Sequence, residues 1–176
     1  GCQIGANSTL FPNAVLYENT VLGERVIVHA GAVLGAHGFG YSLVQGKAFG
    51  GGFECALASE FTIAEESATF SFPEVLFNMF PGMGALSLLG RRIGLKKAED
   101  IIMSGNVFTA REMLELGAID EVVADGTGLD ATREMIKTRR RRRNAYRAIS
   151  QAKREFQPVS HAEMRAVVEI WVDAAI

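Results

Sequence analysis

Two carboxylates and a run of glycines frame the chemistry open to this chain. Glu54 follows Gly50, Gly51 and Gly52 in "LVQGKAFGGGFECAL", and Glu74 follows Pro73 in "FSFPEVLFNMFPGMGA". The glycines sit where a short apolar run hands over to a helical stretch. Glycine there lets the backbone approach a ligand and adopt positive φ. The first turn of such a helix has unpaired N–H groups and the positive end of the macrodipole, so it can hold a carbonyl oxygen that becomes an oxyanion. A plain tight turn would carry the same triplet. If Glu54 and Glu74 converge on a pocket walled by Val75, Leu76, Phe77, Met79, Phe80 and Met83, desolvation and mutual repulsion raise at least one pKa. One acid and one base then coexist at neutral pH, and such a pair adds or removes water. Glutamates near helix starts also serve the dipole alone, with no chemistry.

The elements that must position these groups read as strands alternating with helices. Leu43 to Lys47 is expected as a strand, followed by the glycine turn and a helix through Glu54. Pro73 favours an extended residue before it, so Glu74 is expected to lead out of a strand over Ala68 to Phe72 into a loop. Thr109 with Glu112 makes a capping box, and the helix it opens has Met113 and Leu116 on its apolar side and ends at Gly117. Asp130 to Gln157 is expected as one long helix. Its run Arg139 to Arg143 wraps around the axis and reads as a solvated stretch, the other reading being a contact for the phosphates of a pantetheine-bearing carrier or coenzyme. Met164, Val167, Val168, Trp171 and Ala175 follow helical spacing and are expected as core or subunit packing.

The chain before this region follows another rule. Ile4, Leu10, Leu16, Leu22, Val28 and Leu34 recur every six residues, and the small or β-branched residues Ser8, Ala14, Thr20, Val26, Ala32 and Gly38 come four places after each. Neither a helix nor strand alternation has that period. A hexapeptide repeat points to a β-helix whose aliphatic residues fill a narrow prism.

Composition bounds the rest. With 48% hydrophobic residues, 22% charged and a net charge of -2, the chain falls in the soluble globular class and has no electrostatic case for nucleic acid or an acidic membrane. The apolar region from Phe70 to Gly90 is broken by Pro73, Glu74, Asn78 and Pro81, so no membrane span is expected. No basic-then-apolar leader is seen, which points to the cytoplasm. Cys2 and Cys55 make neither a disulfide framework nor a ligand pair, and no metal is expected. The chain opens at Gly1, already inside a repeat, as a fragment would.

The first stretch, with "HAGAVLGAHGFGY", resembles the hexapeptide-repeat acyltransferases, the nearest likeness being to UDP-3-O-acylglucosamine N-acyltransferase. The coils that carry that family's catalytic histidine do not follow here, and His37 stands where the family usually has an acidic residue. His29 and His37 are therefore expected as surface residues. From about Leu43 onward, "LVQGKAFGGGFECAL", "FSFPEVLFNMFPGMGA" and "AEDIIMSGNVFTAREMLELGAIDEVV" together resemble the crotonase (enoyl-CoA hydratase and isomerase) superfamily. "FPGMGA" and "AEMRAVVEIWVDAA" are similar to its diffusible-signal-factor synthase branch, which acts on 3-hydroxyacyl thioesters as dehydratase and thioesterase.

This resemblance implies an α/β fold: the C-terminal part of a ββα-type crotonase with a helical C-terminus over residues 42–176, preceded over 1–41 by about two coils of left-handed β-helix. It implies Glu54 and Glu74 as the acid/base pair and Gly51 as an oxyanion-hole donor. Gly50, Gly52, Val75, Leu76, Met79, Phe80, Gly82 and Met83 are implied to bind substrate. No separate cofactor is implied, the substrate being an acyl-CoA or acyl-carrier-protein thioester. Both parent families assemble as trimers, so a homo-oligomer is expected. The strands that precede Leu43 in crotonases, with the other oxyanion donor, are not in this chain, so an incomplete active site is expected. A sugar-nucleotide N-acyltransferase and a non-catalytic mosaic remnant remain the alternative readings.

Overall fold

In the computed structural model, which describes residues 1–16, 20–29, 33–34 and 41–174, the side chains of Val33 and Arg154 excepted, the hexapeptide spacing becomes a series of two-residue strands. These are β1 (Gln3–Ile4), β2 (Thr9–Leu10), β3 (Val15–Leu16), β4 (Val21–Leu22), β5 (Ile27–Val28) and β6 (Val33–Leu34). Pairing is parallel throughout: Gln3 with Val21, Thr9 with Ile27 and Val15 with Val33. Each strand therefore meets the one three hexapeptides later. Ser8 ties two such levels together, accepting from the Val26 N–H and donating to the Gly23 carbonyl, each at 3.1 Å. Val28 is buried, whereas Ile4 is 47% exposed. A repeat shields its apolar positions only where a neighbour stacks on them.

The chain divides into two compact units, Gly1–Gly38 and Phe39–Ile176. In the second, β7 (Tyr41–Val44) passes through Gly46, at φ 86°, into β8 (Lys47–Phe49), and α1 (Gly51–Ala58) follows. The strand expected over Leu43 to Lys47 is thus two strands. A left-handed residue turns the chain between them, from one sheet into another. The next segment repeats the plan, with β9 (Phe61–Glu65), β10 (Thr69–Ser71) and a 3-10 helix, Pro73–Phe77. There Glu74 begins a helical turn instead of the expected loop, because a proline in the first turn is pre-set for helix. Two helices, α2 (Ala85–Ile93) and α3 (Leu95–Ser104), lead to β11 (Val107–Thr109), α4 (Ala110–Leu116) and β12 (Glu121–Val123). One sheet has the parallel order β12-β9-β7; the other has the order β11-β10-β8, with β8 and β10 parallel and β11 antiparallel.

The core lies between α1 and these sheets. Phe53 of α1 stacks on Phe72 with ring centroids 4.7 Å apart and tilts against Phe70 at 4.9 Å. All three rings are fully buried, each contributing about 2 kcal/mol of apolar transfer energy. The capping box at Thr109 and Glu112 forms as the sequence predicts, and Gly117 ends α4 in the left-handed conformation.

The C-terminal region departs from expectation. The helix expected over Asp130 to Gln157 is two, α5 (Gly128–Arg141) and α6 (Arg143–Phe156), broken at Arg142, whose φ is -120° and ψ 31°. Arg139 lies over the rings of Phe61, Tyr146 and Tyr41 at 4.1, 4.9 and 5.7 Å. Its arginine run is therefore not wholly solvated: cation–π attraction and stem packing hold one member against aromatic surface. The break turns α6 back, so that Ser150 donates a hydrogen bond to the Glu60 carboxylate. The final helix, α7 (His161–Ala174), has no buried residue among those described. Its expected core stripe is a half-covered layer in which Trp171 remains 36% exposed. Ala175 lies outside the described residues.

Arg92 closes the far end of α1. Its guanidinium donates to the Leu57 and Ser59 carbonyls at the end of α1, to the Ala118 carbonyl just after α4 at 3.0 Å, and to Asp120 at 3.3 Å. Asp120 in turn accepts the Thr62 N–H at 2.8 Å. One planar cation thereby satisfies the Leu57 carbonyl, which the end of α1 leaves orphaned, together with the loop carbonyls of Ser59 and Ala118. Replacing it by a neutral chain of similar length, Arg92→Met, strands these carbonyls and the Asp120 charge. A loss of about 3 kcal/mol in urea unfolding is expected; an unchanged midpoint would show that the clamp carries no stability.

Candidate active site

The pairing of β8 with β10 places the two glutamates. Phe49 lies opposite Ser71; Gly50 follows directly on the first strand and Glu74 comes just after the second. The Gly50 N–H donates to the Ser71 carbonyl at 2.9 Å, which locks the start of α1 to the end of β10. Gly50 has φ 52° and ψ -125°, a conformation open essentially to glycine. A Cβ there would stand 2.5 Å from Glu74 Oε1. The Glu74 carboxylate therefore lies against the turn that opens α1. No side chain caps that helix, and Glu74 Oε2 is buried with no hydrogen-bond partner.

Glu54, in the first turn of α1, is 3% exposed. Its Oε1 accepts the Met83 N–H at 2.8 Å and the Ala85 N–H at 2.9 Å. Between these donors Gly84 adopts φ 104° as the N-cap of α2 and offers no side-chain cap. Glu54 thus caps α2 from a different helix, supplying the acceptor that the N-terminal amides require. Burial pushes its carboxyl above the usual carboxylate range; the Ala85 and Met83 bonds pull it back, and the charge of Glu74 adds to the rise. The two glutamates thus flank the start of α1, Glu54 in its first turn and Glu74 against Gly50.

The surrounding residues divide. Gly51 begins α1 and faces Met83, whose methyl a Cβ at Gly51 would strike, whereas a Cβ at Gly52 would meet nothing. Val75 and Leu76 turn to Gly105 at the end of α3, and Leu76 and Phe77 are 67% and 76% exposed. Met79 and Phe80 are half-buried, and Gly82 lies under the Trp171 ring. The expected apolar wall is therefore only partly built around the carboxylates. An open cavity of about 750 Å³ lies elsewhere, at the C-terminal end of α1, lined by residues such as Leu57, Arg92, Arg139 and Tyr146 and by none of the predicted site residues. His29 is exposed and stacks on Phe11 at 5.5 Å; His37 lies outside the described residues. Among the described residues no group of acids, histidines and cysteines could hold a metal ion, and no helix is long and apolar enough to cross a membrane.

Sequence reasoning missed the contacts of α7. Arg91 of α2 forms a two-pronged ion pair with Glu163, at 2.8 and 2.7 Å. It missed Glu65 as well, which is buried and accepts from Gln45 at 2.8 Å and from the Gly128 N–H at 3.1 Å. An acid at the end of an apolar strand was the available signal for Glu65; nothing in the spacing links Arg91 to Glu163.

Residues 40–170 match the family model for enoyl-CoA hydratase/isomerase. The chain belongs to that family. Residues 1–36 match the model for bacterial transferase hexapeptide (six repeats). The chain is similar to the peroxisomal bifunctional enzyme of Cavia porcellus, 45% identical over 80 residues that make up 46% of this chain and 11% of that one. It is 37% identical to the carnitinyl-CoA dehydratase of Salmonella arizonae over 94 residues, 53% of this chain and 36% of the relative. The crystal structure of carnitinyl-CoA hydratase from Mycobacterium avium superposes with a TM-score of 0.63 at 30% identity, covering 73% of this chain and 51% of that one. The chain thus spans about half the length of this solved relative and a smaller share of the curated ones.

The geometry separates two glycines that the sequence treats alike. Gly50→Ala meets both a positive φ and the Glu74 carboxylate, whereas Gly51→Ala has only to displace a flexible methionine end. Thermal melts are expected to show Gly50→Ala as the more damaging by about 1–2 kcal/mol; equal effects would contradict the placement of Glu74. Glu54 has a second signature. A carboxyl whose folded-state pKa lies above its unfolded value makes the fold lose stability as pH rises from the ordinary carboxylate range through the raised value. Glu54→Gln keeps an oxygen for both amides and removes that loss. Its melting temperature relative to the wild type should therefore climb across that window, and a difference that stays flat with pH would show that the carboxyl is not perturbed.

Proposed function

We propose that the unit over residues 39–176 binds acyl thioesters and moves water across the carbon–carbon bond next to the thioester carbonyl. The observation that carries this reading is the Glu74 carboxylate lying against Gly50 at the uncapped start of α1, in whose first turn Glu54 is buried. On a 3-hydroxyacyl thioester, Glu74 takes the C2 proton and the electron pair passes into the C2–C3 bond through an enolate. Its negative thioester oxygen is held by the Gly51 N–H and the positive end of α1. Glu54, which burial keeps protonated further up the pH scale, gives its proton to the departing C3 hydroxyl. The products are the enoyl thioester and water, and the reverse direction is hydration. Coenzyme A or an acyl-carrier protein carries the acyl group, and no further cofactor takes part.

A finer reading is a dehydratase that also hydrolyses its thioester, as in diffusible-signal-factor synthesis. It is supported by the two segments that carry that likeness, the turn "FPGMGA" and the helix "AEMRAVVEIWVDAA", packing on each other through Gly82 with Trp171 and Gly84 with Met164. The hexapeptide unit, which we read as about two coils of a β-helix on the strength of its parallel pairing and as left-handed by its family likeness, then serves assembly into a trimer and not catalysis. The protein would work in the cytoplasm, where acyl thioesters are made.

The test is turnover of 3-hydroxyacyl-CoA and of the matching enoyl-CoA by the purified chain, followed by the absorbance of the conjugated thioester, with released thiol read separately. Glu54→Gln and Glu74→Gln are each expected to lower dehydration about a hundredfold or more, because an amide keeps the shape but cannot cycle a proton. Thiol release should fall with it. Turnover undiminished in both variants would remove the carboxylate-pair mechanism, and sugar-nucleotide acylation in place of thioester dehydration would favour the acyltransferase reading.

A further inference from the structure

We propose that α7 is the positioning element of the glutamate site, with Trp171 and Met164 clamping the turn Gly82–Gly84 so that the Met83 and Ala85 amides stay on Glu54. The two glycines that flank Met83 are both covered from α7. A Cβ on Gly82 would enter the Trp171 side chain, and one on Gly84 would stand 2.9 Å from the Met164 sulfur. Trp171 and Met164 are two helical turns apart and so share one face of α7. The same turn gives its Met83 and Ala85 N–H groups to Glu54. The turn has no side-chain cap of its own and two glycines of low conformational resistance, so its shape is set by what grips it. Glu54 holds it by its amides, and α7 covers its glycines.

The helix itself is fastened next to the site. Arg91, on the helix that Ala85 begins, holds Glu163 by two bonds and also donates to the carbonyls of Pro158 and Ser87, each at 2.8 Å. The start of α7 is therefore bound to α2, and Trp171 reaches back over the turn from farther along the helix. Trp171 is a positioning residue in this account and touches no reacting atom. The role has catalytic meaning only if the reading of Glu54 under the proposed function holds.

Amide hydrogen exchange by NMR on the full chain tests it without any turnover. Trp171→Ala is expected to speed exchange at Met83 and Ala85 about tenfold or more, as a loosened local structure does, while Ile63 and Ala64 in the central strand β9 keep their rates. Trp171→Phe should restore most of the protection, since a ring still covers Gly82, and Met164→Ala should act at the same two amides. Unchanged protection at Met83 and Ala85 in Trp171→Ala would overturn the proposal. Equal acceleration at Ile63 and Ala64 would overturn it too, since the helix would then stabilise the whole unit and not the turn. Because the readout is independent of chemistry, a failure of the acyl-thioester reading shows in the turnover assay and leaves this result to be judged by itself.

Discussion

A carboxylate taken out of water must be met by donors, and in this fold that requirement joins two helices. Glu54 is buried on α1, and the amides that meet it open α2. An unpaired charge at such a depth would cost several kcal/mol, so α2 can begin only where its first amides reach Glu54. The chain between the two helices, with Glu74 on it, is placed as a consequence. The donors hold the Glu54 carboxyl, while burial and the charge of Glu74 keep its proton affinity high.

The opposite end of α1 solves the complementary problem with the opposite charge. There the Leu57 carbonyl is orphaned, and the Arg92 guanidinium collects it together with the Ala118 carbonyl and Asp120. A glutamate at the start of α1 and an arginine beyond its end bracket the aromatic packing of Phe53 on Phe70 and Phe72. Glu65 repeats the device at the end of β9, where Gln45 and the first amide of α5 hold its carboxyl below the usual range. Buried acids in this unit each close a helix start. Glu54 and Glu65 differ in the direction of the effect: burial raises the Glu54 carboxyl, whereas hydrogen bonds lower that of Glu65.

The hexapeptide unit obeys another economy. Its strands are two residues long and its pairs are parallel, so stability comes from stacking equivalent aliphatic positions and from cross-level bonds such as those of Ser8. Left-handed turn residues, Asn7 and Asn13, bend the chain between strands, as asparagine tolerates that conformation better than most residues. Where no described neighbour stacks, an aliphatic position remains open, as Ile4 does.

Local chemistry was legible in the residues themselves. The six-residue period announced parallel rungs, Thr109 and Glu112 announced a capped helix, and the glycine triplet announced a strand-to-helix turn, because each depends on neighbours a few bonds away. The convergence of Glu54 and Glu74 was legible as a possibility from residue type and as an implication of family likeness. The placement of Glu74 against Gly50 needed the register of β8 on β10, which no local pattern encodes. Other features were decided by tertiary contact alone. Beside the break at Arg142, Arg139 lies over the rings of Phe61, Tyr146 and Tyr41, and Val75 and Leu76 lie against Gly105. The grip of Trp171 on Gly82 joins residues nearly ninety positions apart. Periodicity reports which side of an element is apolar; it cannot report which distant surface that side will find, since that depends on how all the other elements share the same space.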